Sequence, residues 1–148
     1  APNDYAASCF KQYGMNTDST GQFSAMYKPF HLIGMELNIS IFSAALLNQS
    51  TGQTQTFSGD VVATSKRALK KGEILDGEGG ATVWGKLIPV KDSLSNETLP
   101  IGLAHGIKLN KDIKEDQIIT WKDVYYSSDD PTVSFRRSME KNFRSSLD

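Results

Sequence analysis

The segment 27–36 (YKPFHLIGME) holds two basic side chains and a carboxylate within ten positions. Pro29 suits the first position of a helix, because its missing N–H costs no hydrogen bond there. Lys28 and His31 would then flank a helix N-terminus, whose free N–H groups favour a phosphate or carboxylate. Both are therefore candidate substrate-binding residues. The simpler interpretation, in which His31 caps or packs at the helix start, stays open.

Glu36 follows on an otherwise apolar stretch, where a carboxylate must be either paired or functional. His31 can change charge near neutral pH, so His31 and Glu36 together are candidate catalytic residues for proton transfer. A purely structural role for Glu36, with Lys28 or Arg67 as its partner, is the alternative.

The remaining reactive side chains, those of His105 and Cys9, give weaker indications of a functional site. His105 lies between Ala104 and Gly106 and is predicted to be a loop histidine with its hydrogen bonds satisfied, with a ligand role as the alternative. Cys9 is the only cysteine, which excludes an intramolecular disulfide and an all-cysteine metal site. It lies in no electropositive context, so an inert thiol is expected. With two histidines in the chain, no metal site is predicted.

A dinucleotide site would need a glycine-rich loop that follows a strand and opens a helix. The one candidate, 76–80 (DGEGG), instead precedes the strand-like residues 82–84. It is interpreted as a turn, and no cofactor is expected to bind to this chain itself.

A long apolar helix must carry Glu36. Apolar residues recur at spacings of three and four from Pro29 to about Leu47, and further apolar residues widen the stripe, so this helix is expected to be buried on most sides. Before it, residues 1–29 have no steady period and are interpreted as an irregular lead segment. After it, the polar stretch 48–58 is interpreted as a linker, with a domain boundary at Gly59.

Residues 60–126 alternate short β-branched or aromatic runs with turn signals, which is typical of short strands. Residues 66–75 align with 110–119, 44 positions further on, and so predict a duplicated hairpin-like unit. The tail, 127–148, predicts a helix entered at Asp129, Asp130 and Pro131, with Phe135, Met139 and Phe143 on its packed face. Arg136 and Arg137 are assigned to its solvated face.

Composition limits the class of protein. The 148 residues are 39% hydrophobic and 22% charged, which fits a globular protein. The buried helix, the short strands and the tail helix together predict the α+β class, mainly β. A formal net charge of −1 argues against non-specific nucleic-acid binding. No apolar run is long enough to cross a bilayer and no leader is recognised, so a cytoplasmic protein is expected. The missing initiator Met suggests a piece of a longer chain.

Several stretches together resemble a known family. Residues 63–77 (ATSKRALKKGEILDG), 99–103 (LPIGL) and 120–124 (TWKDV) resemble the SAF domain, a β-clip fold of short strands. Residues 27–36 and 136–140 (RRSME) resemble the segments around the SAF-like domain of the homoserine dehydrogenase-like NAD(P)-dependent oxidoreductases, which include the deoxyxylulose-phosphate reductoisomerase-like enzymes.

This resemblance implies a C-terminal portion of such an oxidoreductase, inactive alone. The missing N-terminal Rossmann domain would bind NAD(P), and the substrate would be a small phosphorylated or carboxylated molecule near Lys28 and His31. Lys28 stands where the family pattern has arginine, so the substrate contact would differ. The SAF-like domain would shape the substrate site or form an oligomer contact.

Two other functions remain open. A stand-alone SAF module could bind a sugar or sugar acid, although such a module has no need of an apolar helix and an aromatic-rich lead segment. A purely structural role, with the lead segment driving dimerisation, is the third possibility.

Overall fold

The computed structural model describes residues 1–53 and 56–144 of the 148 residues. The chain divides into two compact units, Ala1–Gln53 and Thr54–Asp148. Helices and small antiparallel sheets occur together, so the protein belongs to the α+β class, as predicted. Thr54 and Gln55 of the predicted linker, and 145–148 of the predicted tail helix, lie outside the described residues.

The first unit begins with a helix where an irregular segment was expected. Helix α1 spans Asp4–Gln12. The Asn3 side chain caps it by accepting a hydrogen bond from the Ala6 N–H at 2.9 Å, and Asp4 in the first turn complements the helix dipole. The expectation of an irregular segment was wrong, because the capping residues stabilise a helix here although its apolar residues show only a weak period.

The second helix, α2, spans Ile33–Leu47 and differs from the prediction in two ways. It begins four residues after Pro29, which therefore does not occupy its first position. None of its residues is buried: Met35, Ile39 and Leu46 are 71%, 67% and 76% exposed. A helix that is apolar on every side needs neighbours on every side, and the only other helix described in its unit is the nine-residue α1.

The second unit contains the regular strands. Strand β1 (Gly59–Ser65) pairs with β2 (Val83–Pro89) in antiparallel register, with Val62 opposite Lys86. Helix α3 (Val90–Asn96) follows β2 directly and was not predicted. The strand-like residues Val83 and Trp84 continue into the rest of β2 through Gly85, where a Cβ would lie 2.7 Å from the Val61 side chain. Two short 3-10 helices (Ile101–Leu103 and Trp121–Asp123), strands β3 (Lys108–Leu109) and β4 (Val124–Tyr125), and helix α4 (Pro131–Arg144) complete the unit.

The predicted duplication organises the core of this unit. Leu69 and Ile113, equivalent residues of the two copies, exchange backbone hydrogen bonds of 2.9 Å in both directions. The same exchange recurs around them: Ser65 N donates to Gln117 O at 3.0 Å, and Leu109 N donates to Glu73 O at 2.9 Å. The two copies are therefore related by a local pseudo-two-fold axis through the Leu69–Ile113 pair. Fully buried side chains surround it, among them Leu69, Leu75, Leu99, Leu109, Ile113 and Ile119.

Helix α4 begins as predicted, but its packed face is only partly the predicted one: Met139 is half-buried and Phe143 meets Phe57 edge-on, with ring centroids 5.4 Å apart. The Asp130 carboxylate accepts hydrogen bonds from the Thr132 and Val133 N–H groups at 2.8 and 3.1 Å. Phe135, predicted to be packed, is 73% exposed, whereas Glu140 is only 4% exposed. Arg136, predicted to be solvated, is instead nearly buried and binds the carboxylates of Asp60 and Glu140. The packed face of α4 therefore carries charge.

Candidate functional site

In the first unit, the structure brings together the three residues singled out between Tyr27 and Glu36. The His31 Nδ1 lies 2.7 Å from the Glu36 Oε2, and the Lys28 ammonium pairs with the Glu36 Oε1. The Glu36 side chain is one-third exposed, while those of Lys28 and His31 are more open. The alternative prediction for Glu36, a partner at Lys28, is confirmed; Arg67 pairs with Glu73 instead, at 3.1 Å.

This arrangement of Lys28, His31 and Glu36 is better suited to proton transfer than to binding an anion between two cations. A carboxylate only accepts, so the His31 Nδ1 carries a proton; the Nε2 presents a lone pair when the ring is neutral and donates when the ring is protonated. Glu36 thereby fixes the tautomer and orientation of the ring. Lys28 already shares its charge with Glu36, which leaves less of it for an anionic substrate.

In the second unit, Asp76 organises the turn 76–80. Its carboxylate accepts hydrogen bonds from the Thr82 hydroxyl, the Ala81 N–H at 2.5 Å and the Thr82 N–H at 3.0 Å. These bonds, that from the Thr82 hydroxyl foremost, lower the pKa of Asp76 from 3.8 to about 2. The prediction of a turn is confirmed.

This turn also contacts His105, which is a loop histidine as expected, with a partner for one of its two ring nitrogens. The Nδ1 of His105 lies 3.0 Å from the backbone oxygen of Asp76. Gly77 packs against the ring: a Cβ there would lie 2.9 Å from the His105 Cβ. The residues do not fit a dinucleotide, since the space beside Gly80 is filled by the Asp76 carboxylate and that beside Gly77 by His105. No step involving NAD(P) is assigned to this chain.

A polar cavity of about 300 Å³ opens beside His105, and the sequence analysis missed it. It lies between the turn after the first 3-10 helix, the segment after β4 and the start of α4. We call it the tyrosine pocket, and its polar lining is His105, Tyr125, Tyr126, Ser127, Asp130 and Thr132. The doublet Tyr125–Tyr126 next to a helix entry was a usable signal, but only the fold brings it to His105.

Other expectations concern single residues and whole classes of site. Cys9 is a half-buried free thiol on α1. In the part of the chain that the structure describes, no three His, Cys, Asp or Glu side chains are grouped so that they could hold a metal ion. Nor does any helix described there have the length and apolar character needed to cross a membrane.

The comparisons with known proteins identify no family. The chain matches no protein-family model and no curated protein.

Proposed function

We propose that this chain is the C-terminal portion of an NAD(P)-dependent homoserine dehydrogenase-like oxidoreductase and has no activity alone. The first unit would be the end of the catalytic region. The second unit would be an SAF-like β-clip domain, mainly β, that shapes the substrate site or forms an oligomer contact. The duplicated pairing around Leu69 and Ile113 supports a compact fold of short, interleaved strands for that unit.

The single observation that carries the proposal is the exposure of α2. A helix that is apolar on all sides is buried in the core of a larger structure, yet none of its residues is buried here. The preceding segment carries exposed aromatic side chains as well, among them Tyr13, Phe23, Tyr27 and Phe30. Apolar surface on this scale marks an interface.

The mass of the native protein in its source cell tests the proposal. Mass spectrometry or immunoblotting is expected to find a species several times heavier than 16.3 kDa, carrying a dinucleotide-binding domain on the same polypeptide. A native species of 16.3 kDa would overturn the proposal and leave a stand-alone SAF module that binds a sugar or sugar acid.

Within the proposed enzyme, His31 with Glu36 would move a proton on a small phosphorylated or carboxylated substrate, and Lys28 would add charge. We predict that His31→Ala, made in the intact native enzyme, weakens the binding of a small sugar phosphate by about tenfold to a hundredfold, the value of one charge-assisted hydrogen bond from the Nε2 of the protonated ring. Calorimetric titration measures this, with His105→Ala as the control. Equal affinities for wild type and His31→Ala would remove His31 from the site.

A further inference from the structure

The tyrosine pocket is a separate cavity with no role in the proposed oxidoreductase site. Its volume of about 300 Å³ is near the lower end of the range for small-molecule sites. More than half of its exposed lining is polar, which favours a ligand with many hydrogen-bonding groups over an apolar one. What that ligand is depends on which atoms the lining presents.

His105 presents a fixed acceptor. The backbone oxygen of Asp76 can only accept, so the His105 Nδ1 donates to it and the Nε2 of the neutral ring has a free lone pair. The backbone of Gly77 packs closely against His105, so that a Cβ at this position would lie 2.9 Å from the His105 Cβ. The imidazole is therefore positioned before any ligand arrives.

Asp130 adds a carboxylate to the lining. Its Oδ1 caps α4 by accepting from Thr132 N and Val133 N, which leaves Oδ2 to accept from a ligand. Because this carboxylate satisfies the helix N-terminus, the dipole end is not available to an anion. A phosphate or carboxylate ligand would face repulsion here rather than attraction.

The two tyrosines and Ser127 supply adaptable partners. Tyr125 and Tyr126 are partly exposed, and the Tyr126 ring meets the Trp121 ring edge-on with centroids 4.9 Å apart, which fixes its plane. The Ser127 Oγ accepts from the Asp129 N–H at 3.2 Å and can still donate its own hydrogen. The faces of the tyrosine rings can pack against the C–H groups of a ligand, while the tyrosine and serine hydroxyls can both donate and accept hydrogen bonds.

We propose that the tyrosine pocket binds a small neutral polyhydroxylated compound, a monosaccharide or sugar alcohol. Such a ligand donates hydroxyl protons to the His105 Nε2 and Asp130 Oδ2 and packs its C–H face on a tyrosine ring. Asp130 disfavours a sugar acid or a sugar phosphate by like-charge repulsion. The inference holds whether the chain acts alone or within a larger enzyme, and it does not involve Lys28 or His31.

Amide-resolved NMR titration of the whole chain tests the proposal. The probes are D-glucose, D-ribose and xylitol, with gluconate and glucose 6-phosphate as charged counterparts. We expect the neutral compounds to shift the amides of Gly106, Tyr126 and Ser127 with millimolar affinity, and the charged ones to leave them unchanged. Gluconate binding as tightly as glucose, or no shift at these amides with any neutral probe, would overturn the proposal.

Three variants and one control sharpen the test. His105→Ala should weaken the binding of the neutral probe by roughly tenfold, and Tyr126→Phe by a few-fold because only the hydroxyl is lost. Tyr13→Phe, in the first unit, is the matched control and should change nothing. Asp130→Ser keeps a good helix cap but removes the charge, so it should admit gluconate. If Asp130→Ser still rejects gluconate, the assigned selectivity is wrong.

Discussion

Asp76 shows how one carboxylate can shape a turn and, through it, a neighbouring cavity. Its oxygens accept from the Thr82 hydroxyl and from two successive backbone N–H groups, so the chain from Gly77 to Gly80 folds back on the carboxylate. The backbone oxygen of the same residue accepts from His105. The glycine-rich turn 76–80 is similar in composition to a nucleotide-binding loop, but the space beside two of its glycines is filled by the side chains of Asp76 and His105.

The lowered pKa of Asp76 predicts a pH dependence. Because hydrogen bonds, that from Thr82 first, hold this pKa at about 2, the carboxylate contributes its full stability above its usual value of 3.8. That contribution is lost as the pH falls through about 2. The melting temperature of Asp76→Asn should therefore lie well below wild type at neutral pH, and the gap should close under strongly acidic conditions.

Calorimetric melting of both proteins across this pH range measures the gap. Other acidic groups titrate equally in the two proteins, so they cancel in the comparison. A gap that stays constant down to pH about 2 would show that the carboxylate charge does not stabilise this turn.

Two glycines of the same turn provide a matched pair. Gly77 and Gly79 have nearly the same positive φ, +73° and +78°, but only Gly77 faces a neighbour, the His105 ring. Gly79→Ala should cost about 1–2 kcal/mol of unfolding free energy for the left-handed backbone alone. Gly77→Ala should cost a further 1–3 kcal/mol or so, because its new methyl overlaps His105. Urea unfolding measures both, and equal losses would contradict the assigned contact.

At the scale of elements, α4 is attached to its unit by charge more than by apolar packing. Arg136 donates to the Asp60 carboxylate at 2.5 Å and to Glu140 at 2.7 Å, and its side chain is only 13% exposed. Burial works to lower the pKa of Arg136, but the hydrogen bonds to Asp60 and Glu140 outweigh it and raise the pKa. Glu140 also accepts from the Trp121 indole N–H at 3.3 Å.

Removing Arg136 should therefore loosen the whole helix. Arg136→Ala leaves the buried Asp60 and Glu140 carboxylates without their main cation, and we expect a loss of about 3–5 kcal/mol in unfolding free energy. Arg137→Ala is the control: Arg137 also binds Glu140, at 2.6 Å, but is more exposed, so a loss of about 1 kcal/mol is expected. Similar losses of unfolding free energy for the two variants in urea would show that burial of the Arg136 network adds nothing to the stability of the protein.

How far the sequence predicts the structure differs from one element to another. The duplicated segments and the entry to α4 at Asp130 could be predicted, because both depend on local chemistry repeated or placed at a recognisable position. The packed face of α4 could not, since apolar spacing favours Phe135 and only the fold brings Asp60 to Arg136. Likewise, Lys28 could be foreseen as a partner of Glu36 by proximity, whereas the tyrosine pocket joins residues from distant segments.

At the scale of the molecule, the two units differ in how well they bury apolar surface. The second has a continuous core around Leu69, Leu99 and Ile113, whereas Ala7 is the only buried apolar residue described in the first. An isolated chain of this kind should be stable in one part and open in the other.

Hydrogen exchange measured by mass spectrometry should show this difference directly. In the isolated chain, peptides containing Leu69 and Ile113 should exchange slowest, and peptides from α2 should exchange within the shortest labelling times. In the intact native protein, the α2 peptides should become protected. Strong protection of α2 in the isolated chain, at a mass equal to one copy, would contradict the exposure that supports the proposed function.

The reciprocal bonds between Leu69 and Ile113 also bear on descent. Each copy of the duplicated segment supplies acceptors for the amides of the other, so one copy alone would leave a row of backbone donors without partners. A polypeptide with a single copy would have to satisfy them with water or by pairing with a second, identical molecule. Joining two such copies in one chain supplies both sets of partners within the same molecule.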